Sequence, residues 1–191
     1  MICKIYLFRH GQTFYNLEHR FTGWKDSKLA PIGIKQSKKV ALKLKNKKIG
    51  AAFQTRLSRS KDTLKEVLKF HPECNIIIQD DRMIERSYGK LEGHFHKRFI
   101  EEKGRKLFDI YHRSYETPPP KGESVKMVEK RVLSFIKDLL AFIKIKKVNV
   151  VISAHGNSMR PFRRYFEHFS IRKMSQIENP WDDYFEYNVK V

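Results

Sequence analysis

Two histidines follow short apolar runs in the same manner. Ile5-Tyr6-Leu7-Phe8 leads into Arg9-His10-Gly11, and Val150-Val151-Ile152-Ser153-Ala154 leads into His155-Gly156-Asn157. If both runs are central strands of a parallel sheet, the two imidazoles meet at the carboxyl edge, where such folds collect reactive groups. Each glycine lets the backbone turn tightly, and the residues after it can begin a helix whose N–H groups face an anion. A neutral imidazole, with an ordinary pKa of about 6.5, can attack phosphorus without a metal and carry the phosphoryl group as phosphohistidine. The charge on the transferring oxygens calls for fixed cations around it. Arg9, and Arg59 at the start of a helix, are suitable clamps because a guanidinium is bidentate and permanently charged. A leaving oxygen needs a proton, and Glu85, in the glycine-punctuated stretch ERSYGKLEGH, is the candidate acid.

These groups need a scaffold, and the hydrophobic pattern supplies one. Strands are expected over Ile2–Phe8, Ala51–Gln54, Cys74–Ile78, Val148–Ser153 and Tyr184–Val191. Helices are expected from Pro31 to about Lys48, from Arg59 to Phe70, and from about Ser158 to Phe169. Ser124 is placed to cap a long amphipathic helix carrying Val128, Val132, Phe135, Ile136, Leu139, Leu140 and Ile143. Between them lie a mixed helical region reaching Tyr115 and the proline-stiffened loop ETPPPKGES. Strands alternating with helices predict an α/β three-layer sandwich, a mostly parallel central sheet with helices on both faces. The length of 191 residues suits one domain over residues 1–191.

Composition narrows the setting. No apolar run approaches the roughly 20 residues that a membrane-spanning helix needs, and Lys4 and Arg9 interrupt the one apolar stretch near the N-terminus. Cys3 and Cys74 are too few for a disulfide framework, which predicts a cytoplasmic protein, with Cys3 in the core of the first strand. Forty Lys and Arg against 21 Asp and Glu give a net charge of +19, a balance that draws anions. Phosphorylated metabolites are one such class. An acidic membrane surface is another, and nucleic acid is a third, disfavoured by the lack of clustered arginines and aromatics that would read bases. The lysines are spread along the chain, as solvated faces would spread them.

The segments LFRHGQTFYN, RFTGW, ERSYG, RSYETPPPKGES and SAHGNSMR occur in this order from residue 5 to about residue 160. Together they resemble the histidine phosphatase superfamily and, within it, the 2,3-bisphosphoglycerate-dependent phosphoglycerate mutases. The resemblance implies that His10 is the phosphorylated nucleophile, held among Arg9, Arg59 and His155. It implies that Asn16 and the backbone of Asn157 assist, and that Glu85 gives and takes the proton. Thr22, Gly23, Tyr88 and Arg113 would contact phosphoglycerate. No metal is implied, and the cofactor would be 2,3-bisphosphoglycerate, which primes the histidine.

Three departures stand against this pattern. His112 replaces the first of two adjacent arginines, leaving Arg113. His96 stands where a lysine is usual, with Lys97 one residue late as its candidate substitute. The segment NPWDD, Asn179 to Asp183, replaces a glycine-containing turn, and the mobile tail usual in the family is not apparent before Val191. By the resemblance these positions would bind the second phosphate or exclude water, so a phosphomonoester phosphatase with the same phosphohistidine is the alternative activity. A non-catalytic basic scaffold is a third reading. Trp24 and Trp181 are expected to be packing residues, and the oligomeric state is left open.

Overall fold

The computed structural model describes residues 1–191. Its centre is a five-stranded sheet formed by β1 (Ile2–Arg9), β2 (Ala51–Gln54), β3 (Ile76–Gln79), β4 (Val150–Ala154) and β5 (Tyr184–Lys190). The spatial order is β3-β2-β4-β1-β5, with only β5 antiparallel to its neighbour. Eight helices complete the chain: α1 (Phe14–Leu17), α2 (Pro31–Leu44), α3 (Ser58–Leu68), α4 (His96–Lys103), α5 (Arg105–Arg113), α6 (Val125–Lys146), α7 (Gly156–Glu167) and α8 (Ile171–Gln176).

Alternation along the strands sends side chains to opposite faces. Cys3, Ile5 and Leu7 of β1, with Val150, Ile152 and Ala154 of β4, pack under α6 and α7 through Val128, Val132, Phe135, Leu139, Met159 and Phe162. Tyr6, Phe8, Ala52 and Val151 face the other way, against Val40, Ala41 and Leu44 of α2 and Leu64 and Val67 of α3. The result is the three-layer α/β sandwich that the sequence pattern predicts. β4 is buried along its whole length, as a central parallel strand must be.

Local chemistry sets the helix starts. Pro31 opens α2, where its missing N–H costs nothing. Ser124 caps α6 by accepting from the Met127 N–H at 3.2 Å. α7 begins two residues earlier than the hydrophobic spacing suggests, directly after His155. It ends at Glu167, where His168 takes a left-handed φ of 55°. α1 and α8 are too short to show a periodicity in sequence. A third cluster, Phe21, Tyr88, Phe99 and Phe108, joins α4 and α5 to the loop after α1 and stands over the carboxyl edge of the sheet.

Candidate active site

Parallel pairing of β1 with β4 sets Arg9 opposite Ala154, and the His10 N–H continues the ladder to the Ala154 carbonyl at 3.0 Å. His10 and His155 are therefore neighbours in space, with ring centroids 4.9 Å apart. The glycine after His10 is required by crowding, not by an unusual φ, and the one after His155 sits in a tight contact. A Cβ on Gly11 would sit 2.2 Å from the Gly33 carbonyl oxygen, and one on Gly156 would press on the Arg9 guanidinium at 3.2 Å.

The hydrogen bonds define the roles available to each ring. His10 Nδ1 lies 2.7 Å from the Gly11 carbonyl. A carbonyl can only accept, so Nδ1 carries the proton and Nε2 keeps a free lone pair. His155 instead uses Nε2 against the Thr55 hydroxyl at 2.8 Å, and its Nδ1 has no partner. Both imidazoles are held well below their usual pKa, first by burial and then by the Arg59 charge. They are neutral at neutral pH.

Arg9 and Arg59 are the fixed cations. Arg59 is wholly buried and donates to the Gly23 carbonyl at 2.7 Å and the Lys25 carbonyl at 3.0 Å. Arg9 lies under Trp181, 3.2 Å from the ring centroid, and burial brings its pKa down to about 10. The Nε of each guanidinium is buried without a partner. Buried donors of this kind are costly unless an acceptor joins them. Glu85 completes the inner site: its Oε1 accepts from the Arg86 N–H at 2.8 Å and the Asn157 N–H at 3.1 Å. Ligand atoms of His10, Glu85 and His155 all lie within 4.8 Å of one another. That spacing alone would admit a cation, but two buried guanidiniums beside it favour an anion.

A cavity of about 180 Å³ opens from this centre, lined by Arg9, His10, Asn16, Thr22, Gly23, Arg59, Glu85, Tyr88, Arg113 and Asn157 among others. His155 lies beneath, wholly buried against His10. The structure thus brings together all but one of the residues singled out in the sequence. The exception is Lys97, whose side chain is 89% exposed and reaches only Glu101, at 3.9 Å. It starts one residue past His96 on α4, and the helical turn carries it away from the cavity. His96 lines the wall instead, with His112 facing it at a ring separation of 5.6 Å. Burial pushes His96 down to about 4 and, helped by the Arg113 charge, His112 down to about 3. Where cations were expected, the far wall carries neutral rings packed among Phe21 and Phe108.

Four site residues escaped sequence reasoning. Arg20, Arg160 and Glu178 line the cavity, and Trp181 covers Arg9 and meets the His10 ring at 5.7 Å. Trp24 also departs from a purely packing role, donating from Nε1 to the Glu85 carbonyl at 2.7 Å. Arg160 had a signal in the SAHGNSMR segment, one and a half turns after His155 on α7. Glu178 and Trp181 had none, because they reach the site from a loop far along the chain.

The buried neutral histidines make stability pH-dependent. Their folded pKa values lie below the unfolded value of about 6.5, so below that pH the unfolded chain binds protons that the folded chain refuses. Stability is therefore full above about pH 6.5 and falls as pH drops, by about 1 kcal/mol per unit for each of His10 and His155. Urea midpoints at pH 7.5 and 5.5 check this, and a midpoint that rises on acidification contradicts it.

The surface charge is spread as the sequence suggests. Lys39 and Lys43 of α2, with Lys47 in the loop just after it, face Asp182, Asp183 and Glu186 at 3.2, 3.0 and 3.1 Å, exposed pairs of small individual worth. No helix is long and apolar enough to cross a membrane.

Comparison with known proteins places this geometry. The family model for the histidine phosphatase superfamily (branch 1) matches residues 5–185. A 2,3-bisphosphoglycerate-dependent phosphoglycerate mutase of Parvibaculum lavamentivorans is 37% identical over 157 residues, covering 81% of this chain and 75% of the relative. A phosphoglycerate mutase of Schizosaccharomyces pombe is also 37% identical, covering 81% and 74%. Among solved structures, a mycobacterial glucosyl-3-phosphoglycerate phosphatase superposes with a TM-score of 0.83 at 19% identity, covering 98% of this chain and 91% of that one. A putative alpha-ribazole-5'-P phosphatase of Escherichia coli gives 0.82 at 18% identity, covering 96% and 89%. At those identities the structural likeness is one of fold.

Proposed function

We propose that this chain, which belongs to the histidine phosphatase superfamily, is a 2,3-bisphosphoglycerate-dependent phosphoglycerate mutase working through His10. The chain is an enzyme of mutase or phosphatase type, and the observation that carries the mutase reading is 37% identity to mutases over four-fifths of its length. The phosphatase reading has its own support: His96 and His112 leave the far wall with less charge to grip a second phosphate.

In either reading His10 Nε2 attacks phosphorus in line with the departing oxygen, while Nδ1–H stays on the Gly11 carbonyl. Electron density leaves with the P–O bond, and Glu85 supplies the proton to that oxygen. Arg9 and Arg59, each with an unpaired buried Nε, balance the charge on the equatorial oxygens. Asn16 would assist at the phosphoryl position, and Thr22, Gly23, Tyr88 and Arg113, which line the same cavity, would contact the phosphoglycerate. The second step runs backwards: Glu85 takes the proton of an incoming hydroxyl, from the glycerate in a mutase or from water in a phosphatase. No metal enters these steps.

The residues present fit a bisphosphate, with Arg9 and Arg59 for one phosphate and Arg113 and Arg160 toward the other. When bound, 2,3-bisphosphoglycerate would supply the phosphoryl group that loads His10. A cytoplasmic setting is part of this reading, with both cysteines free and buried.

Phosphorus NMR of the protein with 3-phosphoglycerate, with and without 2,3-bisphosphoglycerate, tests it. The expected result is conversion to 2-phosphoglycerate that requires the bisphosphate and survives chelators. Inorganic phosphate without isomerisation transfers the assignment to the phosphatase.

A further inference from the structure

Two of the arginines best placed to hold a substrate's far end are already engaged by a carboxylate of this chain. Glu178 Oε1 accepts from Arg113 Nη2 at 3.0 Å and from Arg160 Nη2 at 3.3 Å. The contact is made at the cavity wall, which all three residues line. Beside them burial keeps His96 and His112 neutral, and Arg20, which also lines the cavity, is already paired with Glu18 at 2.5 Å. A second anionic group on a substrate therefore depends heavily on the two guanidiniums that Glu178 occupies.

The backbone around Glu178 is fixed independently of its side chain. Arg160 Nε donates to the Ile177 carbonyl at 3.0 Å, Arg163 Nη1 to the Glu178 carbonyl at 3.2 Å, and Asn179 Nδ2 to the Gly156 carbonyl at 2.9 Å. The segment holds its place while the carboxylate, 67% exposed, stays free to swing toward water. Exposed pairs of this sort are weak and screened by salt. A ligand carboxylate or phosphate can displace Glu178 at small cost.

We propose that Glu178 is an internal competitor for the substrate's second anionic group. A ligand with a carboxylate or phosphate at its far end must displace it from Arg113 and Arg160. A phosphomonoester whose far end is uncharged need not. Glu178 is then a specificity-determining residue that narrows the difference between the two ligand classes. The inference rests on the phosphoglycerate reading of the cavity.

The test uses 3-phosphoglycerate and glycerol 3-phosphate, which share a phosphate and differ at the far end by carboxylate against hydroxymethyl. Their affinities are measured by calorimetry at low ionic strength for Glu178 and Glu178→Gln proteins, both carrying His10→Ala so that no turnover occurs. Glutamine keeps the size of the side chain and removes its charge. Affinity for 3-phosphoglycerate is expected to rise about threefold to fivefold, the worth of one exposed ion pair, and to lose that gain in high salt. Glycerol 3-phosphate affinity should stay unchanged. An equal gain for both ligands, no gain, or weaker 3-phosphoglycerate binding overturns the competition and leaves the phosphoglycerate reading standing. Failure of 3-phosphoglycerate to bind either protein overturns both.

Discussion

Replacement of His10 by alanine is expected to abolish the acid-labile phosphoenzyme and lower kcat/KM on the order of 10⁴-fold or more, as loss of a covalent nucleophile does. No neighbour can take its place. His155 is the only other imidazole at this depth, but its Nε2 is held by the Thr55 hydroxyl at 2.8 Å. The variant should still bind orthovanadate or phosphate, because Arg9 and Arg59 take their positions from Trp181 and from main-chain carbonyls rather than from His10. That separation distinguishes a nucleophile from a binding residue. A phosphoenzyme that persists in His10→Ala would move the nucleophile elsewhere, and simultaneous loss of anion binding would reduce His10 to a structural group.

The fold was legible in the sequence wherever burial imposed a pattern. Ile5, Leu7, Val150 and Ile152 face one helix layer, while Tyr6, Phe8 and Val151 face the other, so their strands read as continuous apolar runs. α6 and its Ser124 cap were equally plain. Errors fell where tertiary contact outranks local preference. β3 is an edge strand, half exposed along its length, and its bounds shifted from 74–78 to 76–79. α7 starts on Gly156 and Asn157, poor helix formers in isolation, because His155 ends a buried strand and the chain must turn there.

Legibility of the site followed the same rule. His10, Arg9, His155 and Asn157 are fixed by strand ends, and two matching strand ends announced them. Arg59 opens α3, and Glu85 lies in a loop whose glycines were visible. Lys97 failed because a helix distributes neighbours about 100° apart: His96 faces Phe21 and the cavity, so Lys97 faces water. Glu178 and Trp181 were illegible because their role exists only once the segment after α8 folds back over β1. The NPWDD stretch looked like the loss of a cover. Its Trp181 stacks on Arg9, and its Asn179 carbonyl accepts from Arg9 Nη1 at 3.4 Å. A departure from a familiar pattern can carry part of the same task with different atoms.

Glu85→Gln should separate the two chemical steps. Glutamine retains an oxygen to accept from the Arg86 and Asn157 N–H groups, now at 2.8 and 3.1 Å, so the loop should keep its shape. What it loses is the proton. With a phosphate ester of an alcohol, the leaving alkoxide goes unprotonated, and kcat should fall by about 10² to 10⁴, the usual range for a general acid. With p-nitrophenyl phosphate the leaving group needs no proton, so phosphorylation of His10 should remain fast. Release of the phosphoryl group to water still needs Glu85 as a base. Stopped flow should therefore show a burst of about one nitrophenolate per site followed by slow turnover, the signature of an accumulating covalent intermediate. Undiminished turnover of both esters would mean that Glu85 serves the site by position alone, holding the start of α7 through the Asn157 N–H, a contact that glutamine keeps. The proton would then come from another group on the cavity wall.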